Sequence, residues 1–188
     1  MQEQDATAGI FHSRLWHRAF AAIEQGTLPV VTALRGAVIG GELELAAAAH
    51  IRVADRSVFY ALPEGTRGLF VGGGGSVRIS RLIGAARMAD MMLTGRTYGA
   101  MDGMGAGLSQ YMVEDSLAHA MTLAHRIAEN APLSNFAVMH ALPRIADADP
   151  AIGYLTESLM SAIAAADPEA KQRLADFLGK RAAKVEHR

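Results

Sequence analysis

The sequence predicts an α/β fold in which short, mostly parallel strands alternate with helices and are followed by a helical C-terminal region. Short β-branched segments alternate with helix-forming segments as far as residue 115, an order typical of parallel sheets. Beyond that point one helical segment follows another, with prolines between them. We therefore expect an α/β core over residues 1–115 and a helical region over residues 116–188.

The first predicted element is an amphipathic helix over residues 7–25, ending near Gly26. Apolar residues recur at every fourth position, and two aromatic residues widen the stripe, which is typical of a helix with one face on a core. The stripe consists of Phe11, Leu15, Trp16, Ala19, Phe20 and Ile23.

Short apolar segments predict four strands, and helix-forming segments separate or follow them. The predicted strands are 29–34, 51–54, 58–61 and 110–113. Residues 36–41 are predicted as a turn and residues 63–75 as a glycine-rich loop. The predicted helices are 43–49, 77–82, 85–93, 116–129, 133–142, 151–166 and 168–183.

Composition excludes several classes of function. The formal charge of −1 gives no overall field to attract nucleic acid or an anionic membrane, and no apolar segment has the roughly 20 residues of a membrane helix. With no cysteine, the chain has no disulfide, thiolate metal site or cysteine nucleophile. The histidines form no HExxH motif, so we expect no metal site. These features suit a cytoplasmic protein.

The segment Gly40-Gly41-Glu42-Leu43-Glu44 joins a predicted strand to a predicted helix. Two glycines allow the backbone to approach a ligand closely, and the first N–H groups of a helix point toward developing negative charge. Glu44 follows in the first turns, near the same place. On its own, the pattern is more typical of a tight strand-to-helix turn with a capping glutamate than of a ligand site.

A second segment places Glu64 shortly before four consecutive glycines, Gly72 to Gly75. Apolar residues flank the glycines, whereas a solvated linker would be polar. Close passage of backbone past a ligand or a bound water explains this better than flexibility alone. The chain has no GK[ST] ending, GxGxxG or GxSxG, so neither a phosphate-binding loop nor a dinucleotide site nor an α/β-hydrolase is indicated.

Several short segments occur in an order and at spacings that are specific as a set. They are Pro29 to Gly36, Gly40-Gly41 with Glu44 to Ala46, Ile51 to Ala54, Pro63-Glu64, Gly72 to Gly75, Arg81 to Gly84, Leu93 to Arg96 and Gly107-Leu108. Over nearly the whole chain this set resembles the enoyl-CoA hydratase/isomerase (crotonase) family. The resemblance implies a ClpP/crotonase-like core of short, mostly parallel strands with a C-terminal helical region.

The resemblance implies a role for each matching residue. Glu44 and Glu64 would hold one water over the double bond of an enoyl thioester and act as an acid–base pair. Gly41 would donate one of two backbone N–H groups to the enolate oxygen, and the Gly72 backbone would contact the water. The substrate or coenzyme A positions would be Gly40, Gly41, Gly73, Phe177 and Lys180.

The family resemblance also implies partners. The substrate would be a coenzyme A thioester, with no prosthetic group and no metal. We expect a homotrimer or a dimer of trimers, with the C-terminal helices contributing to assembly and to contact with coenzyme A.

Two features depart from the family pattern. Glu42 stands where the family usually has a third glycine, which adds a negative charge beside the oxyanion hole. We also expect this chain to lack the family's N-terminal segment, which supplies the first strands, the second oxyanion N–H and much of the adenine pocket.

The sequence leaves the reaction open. The leading hypothesis is hydration of an enoyl-CoA, because it uses both Glu44 and Glu64. The alternatives are a double-bond isomerase, a hydratase-lyase or a hydrolase on another acyl-CoA. A further alternative is a truncated, inactive chain that binds coenzyme A or assembles without turnover.

Overall fold

The structure, a computed structural model, describes residues 5–179 of the chain. The chain forms two compact units, one ending at Arg126 and the other beginning at Ile127. The boundary that the sequence predicts between an α/β core and a helical region, after residue 115, stays a prediction. Within the described residues, no helix is both long and apolar enough to cross a membrane.

The first unit consists of short strands and helices that alternate along the chain, as predicted. The strands are β1 (Val31–Leu34), β2 (Ala37–Ile39), β3 (Ile51–Asp55), β4 (Phe59–Ala61), β5 (Tyr98–Gly99) and β6 (Tyr111–Val113). The helices are α1 (Ala6–Glu24), α2 (Gly41–Ala46), α3 (Gly75–Ile83), α4 (Ala85–Thr94), α5 (Ala100–Ala106) and α6 (Ser116–Ala128), with a 3₁₀ turn over Gly65–Arg67.

The strands form two sheets of three strands each. One has the order β1-β3-β6 and is parallel throughout. The other has the order β2-β4-β5, in which β2 and β4 are parallel and the two-residue strand β5 is antiparallel to β4. The expected mostly parallel arrangement is therefore confirmed, although β5 and the helix α5 after it were not predicted.

The strand β2 corrects the prediction of a turn over residues 36–41. Its residues pair in parallel with β4, from Ala37 beside Phe59 to Ile39 beside Ala61. Gly36 and Gly40 flank the strand with φ of +64° and +57°, a region that favours glycine because it has no Cβ. The glycines thus mark the two ends of a strand, and the carboxyl ends of β2 and β4 lie at the same edge of the sheet.

Strand β3 is central in its sheet and faces a core on both sides. Successive side chains of a strand point to opposite faces. Val53 is fully buried in a small cluster with Ala120 and Leu123 of α6, whereas Ala54 is fully buried in the main core. The main core also contains Leu43 of α2, so the helix that carries Glu44 is anchored by burial.

The helix α1 is present where the sequence predicts it, but its buried face differs from the predicted stripe. Phe11 and Leu15 are exposed, at 70% and 55%, and Phe20 is the one fully buried residue of the helix. The residues turned toward the unit recur with spacings of four, three and four, as expected for one face of a helix. They are Ser13, His17, Phe20 and Glu24, and Ala21 and Ile23, the latter a member of the predicted stripe, are partly buried beside them.

The second unit is helical, and three of its helices start at prolines. Its elements are α7 (Pro132–Phe136), a π-helical turn over Ala137–Ala141, α8 (Leu142–Asp147), α9 (Pro150–Ala166) and α10 (Pro168–Leu178). The sequence predicts a helix end before Pro143, yet helical structure continues to Asp147. Pro143 is the second residue of α8, directly after the π turn, and a proline in the first turn of a helix is tolerated because its missing N–H would have no partner there.

The close contact between Gly103 and Tyr60 gives a prediction about stability. A Cβ at Gly103 would lie 2.2 Å from the buried Tyr60 ring, so Gly103→Ala should force α5 away from β4. We expect a loss of about 1–3 kcal/mol in the free energy of unfolding, the usual cost of overpacking a core. Thermal and urea denaturation measure the change.

Gly105→Ala is the matched control, because a Cβ at Gly105 meets no atom within 4 Å. Alanine favours helix over glycine, so this variant should be as stable as wild type or more stable by up to about 1 kcal/mol. Equal effects of the two substitutions would contradict the packing argument.

Candidate active site

Glu44 is a buried carboxylate held by two backbone N–H groups. It lies in α2, and only 5% of the residue is exposed. Its Oε1 accepts hydrogen bonds of 2.8 Å from the N–H of Gly73 and of 2.8 Å from the N–H of Gly75. A Cβ at Gly73 would lie 3.1 Å from Glu44 Oε2, and one at Gly75 would lie 2.8 Å from Glu44 Cγ. An added Cβ at either position would therefore crowd Glu44, and one at Gly73 would also lie 2.9 Å from the Phe20 ring.

Two backbone carbonyl groups of the glycine segment 72–75 also accept hydrogen bonds from side chains. The Ser13 hydroxyl donates to the Gly72 carbonyl at 2.7 Å, and the Arg78 guanidinium donates to the Gly73 carbonyl at 3.0 Å. Arg78 is itself fixed by Glu24, whose Oε2 accepts from its Nε and Nη2 at 2.9 and 2.8 Å. The four glycines form an ordered segment with N–H groups directed at Glu44, which agrees with the argument against a flexible linker.

Glu64 occupies a different environment. It follows β4, and its Oε1 packs against Gly40, where an added Cβ would lie 2.6 Å away. Its Oε2 is buried and accepts no hydrogen bond from the residues that the structure describes. Burial raises the pKa of the Glu64 carboxyl, and the negative charge of Glu44 raises it further, while its own backbone N–H and Arg67 act in the opposite direction.

One pocket of about 260 Å³ brings together four of the predicted site residues. They are Gly41, Glu44, Gly72 and Gly73, and the remaining wall comes from Gly9, His12, Ser13 and Trp16 of α1. Gly40 and Glu64 contact each other but do not line this pocket. Phe177 lies on α10 of the second unit and is 63% exposed, and Lys180 lies outside the described residues.

Sequence reasoning missed the contribution of α1 to the pocket. The predicted stripe includes Trp16, which lines the pocket, but it omits His12 and Ser13. The Trp16 indole N–H donates to His12 Nε2 at 2.8 Å, and the Trp16 ring packs edge-on against Phe20 at 5.1 Å. The helical spacing of Ser13, His17, Phe20 and Glu24 was the signal that could have identified this face.

Glu42 is turned away from the pocket. It is exposed, and its Oε2 lies 3.4 Å from the backbone N of Ile39, the residue two positions before the helix. Its neighbour Gly41 is the first residue of α2, where the N–H has no partner within the helix. The Gly41 N–H is thus available to an acceptor in the pocket, and the extra carboxylate does not lie beside it.

Two other cavities of the first unit, one along α4 and α5 and one beside Arg78, contain none of the predicted catalytic residues. A larger one of about 670 Å³ lies along α4 and α5, where Arg96 pairs with Asp90 at 3.1 Å. We assign the site to the smaller pocket because it holds the buried carboxylate and the unpaired helix N–H. Within residues 5–179, no group of three or more metal-binding side chains is arranged around a common point.

Comparisons with known proteins show to which family the chain belongs. The family model described as enoyl-CoA hydratase/isomerase matches residues 1–188. A candidate enoyl-CoA hydratase from Rhodopseudomonas palustris CGA009 is 59% identical, with a TM-score of 0.94 over 98% of this chain and 72% of that chain. Two curated relatives are the fatty acid oxidation complex subunit alpha of Shewanella loihica, 44% identical over 107 residues, and methylglutaconyl-CoA hydratase 1 of Pyricularia oryzae, 38% identical over 95 residues.

These alignments cover 56% and 50% of this chain but only 15% and 27% of the two curated relatives. The solved structure extends the likeness to almost every residue and confirms the predicted crotonase fold class. Because the family model spans residues 1–188, and because a relative of 59% identity shares the fold throughout, the chain belongs to the enoyl-CoA hydratase/isomerase family.

Proposed function

We propose that this protein adds water across the 2,3-double bond of an enoyl-CoA thioester, with Glu44 and Glu64 as the acid–base pair. The observation that carries the proposal is the difference between the two carboxyls. Glu44 accepts two N–H hydrogen bonds, whereas Glu64 is desolvated and has a raised pKa. Two neighbouring carboxyls in unlike environments suit opposite proton-transfer roles.

In the proposed step Glu44 acts as the base. It removes a proton from water while the water oxygen bonds to the β-carbon of the substrate. The π electrons move onto the thioester to give an enolate, and Glu64, in its protonated form, delivers a proton to the α-carbon. Transfer of a proton from Glu44 to Glu64 restores the pair, so the net change is the addition of one water.

The Gly41 N–H supports this role because it lies at the start of α2, lines the pocket and lacks a partner within the helix. We propose that it donates to the thioester oxygen as negative charge develops there. A charged acceptor is also favoured at a helix N-terminus, although a helix of six residues contributes a small dipole.

We extend the proposal to coenzyme A binding and assembly on the basis of the family. The exposed Phe177 on α10 is the position expected to contact coenzyme A, with Lys180 beyond the described residues. The second unit also exposes apolar side chains such as Leu155 and Leu159 of α9, which suits assembly into a trimer or a dimer of trimers.

Substitution of each glutamate by glutamine tests the acid–base pair. Glu44→Gln and Glu64→Gln should each lower kcat by about 10²–10⁴ with crotonyl-CoA, because each removes one proton-transfer group. The double variant should be little slower than the slower single variant, since the two residues act as a unit. Loss of the conjugated-thioester absorbance measures turnover, and calorimetry with coenzyme A measures binding.

Glu42→Gln is the matched control, since Glu42 is a carboxylate of the same helix that does not line the pocket. It should retain wild-type turnover. Full activity of Glu44→Gln or Glu64→Gln would refute the paired mechanism. Coenzyme A binding by a wild-type chain that shows no turnover would instead favour a binding role.

The raised pKa of Glu64 predicts a dependence of stability on pH. A carboxyl whose pKa is higher in the folded state than in the unfolded chain stabilises the fold below its unfolded pKa of about 4.3. That contribution is lost as the pH rises through the folded pKa. Glu64→Gln, which cannot ionise, should therefore gain stability relative to wild type as the pH rises from about 4.3 toward neutrality.

Urea denaturation of both proteins across this range provides the measurement. Glu42→Gln again serves as the control and should show no comparable trend. A constant difference between Glu64→Gln and wild type at every pH would contradict the assignment of Glu64 as a desolvated carboxyl.

A further inference from the structure

We propose that Ser13 is a positioning residue for Glu44, acting through the peptide group that joins Gly72 to Gly73. The inference rests on the proposed function, because it concerns the carboxylate that we assign as the base. Neither the predicted site residues nor the family resemblance includes Ser13, which was identified from its hydrogen bond and its place in the pocket wall.

The contacts form a continuous chain. The Ser13 hydroxyl donates to the carbonyl oxygen of Gly72 at 2.7 Å, and the N–H of Gly73 donates to Glu44 Oε1 at 2.8 Å. This carbonyl and this N–H belong to the same peptide group, which is planar and trans. They point in opposite directions, so one rigid plane connects the serine hydroxyl to the glutamate carboxylate.

The peptide group between Gly72 and Gly73 needs the Ser13 hydrogen bond because both of the residues that it joins are glycines. Glycine has the widest choice of backbone angles, so a Gly-Gly peptide rotates more freely than any other unless hydrogen bonds hold it. Rotation would turn the Gly73 N–H away from Glu44. Ser13 opposes that rotation, and its hydrogen bond also polarises the peptide group, which strengthens donation by the N–H on the other side.

Ser13 differs from three other hydroxyl residues in the described helices. A helical serine or threonine commonly donates to the carbonyl four residues earlier. Thr122, Thr156 and Ser158 all do so, at 2.8–3.0 Å. Ser13 instead donates to a carbonyl 59 positions away in sequence. Its hydroxyl is therefore committed to the glycine segment rather than to its own helix.

His17 extends the same line of contacts. Its Nε2 lies 3.4 Å from Ser13 Oγ, at the limit of a hydrogen bond. Since the Ser13 hydrogen is used on Gly72, His17 can only act as the donor in this contact, which requires the proton on Nε2. Such donation would favour the rotamer in which the Ser13 hydroxyl faces Gly72.

Three variants test the role of Ser13. Ser13→Ala removes the hydroxyl, Ser13→Thr retains it, and Ser80→Ala removes a hydroxyl that contacts Met88 and no glycine. Two readouts are combined. Amide hydrogen exchange of Gly73, followed by ¹H–¹⁵N NMR, reports how firmly the peptide is held, and kcat and KM with crotonyl-CoA report its effect on turnover.

In Ser13→Ala we expect the Gly73 amide to exchange about tenfold faster and kcat to fall about tenfold, the effect of one hydrogen bond. KM should stay near its wild-type value, since Ser13 positions a reacting group. Amides in the buried strand β3 should keep their wild-type exchange, because the fold is intact. Ser13→Thr and Ser80→Ala should both behave as wild type.

Wild-type exchange of the Gly73 amide in Ser13→Ala would overturn the inference, as would equally faster exchange in β3, which indicates general destabilisation. The Gly73 exchange requires no turnover, so it decides the role of Ser13 independently of activity. Full activity of Glu44→Gln would overturn the proposed function and leave the exchange result standing. An inactive Glu44→Gln with unchanged Gly73 exchange in Ser13→Ala would overturn only the role of Ser13.

Discussion

The burial of the Glu44 carboxylate is the constraint on which the rest of the site depends. A carboxylate removed from water costs several kcal/mol unless donors replace its hydration. Two N–H groups, from Gly73 and Gly75, supply that replacement at Oε1. They can approach only because neither residue has a Cβ. Glycines are entropically costly, and this carboxylate accounts for Gly73 and Gly75, whereas Gly74 has a φ of +97° that favours glycine.

The glycine segment in turn depends on the helix α1. Phe20 packs so close to Gly73 that an added Cβ would lie 2.9 Å from its ring. Ser13 holds the Gly72 carbonyl directly, and Glu24 holds the Gly73 carbonyl through Arg78. Hydrogen bonds on both sides give the segment one conformation. The glycine segment is therefore held in place by contacts from two helices, α2 through Glu44 and α1 through Ser13, Phe20 and Glu24.

The pairing of β2 with β4 places the Glu64 carboxyl close to the start of α2. Because β2 and β4 are parallel, α2 begins and Glu64 follows at the same edge of the sheet. Gly40 then permits Glu64 to pack against the backbone at the start of α2. One carboxyl is matched by N–H donors and the other is desolvated, and this difference suits a pair in which one group accepts a proton while the other donates one.

The sequence by itself determined the α/β order and most of the helices, because local periodicity is a property of a single segment. Its resemblance to the family identified Gly41, Glu44, Glu64 and Gly72 as candidate site residues. Only the tertiary structure decided that residues 37–39 form a strand and that α1 presents Ser13 rather than Phe11 to the site. A three-residue strand has too little periodicity to be recognised without its partner β4. The Ser13 hydroxyl likewise acquires its role from a carbonyl 59 residues away, a distance over which local pattern carries no information.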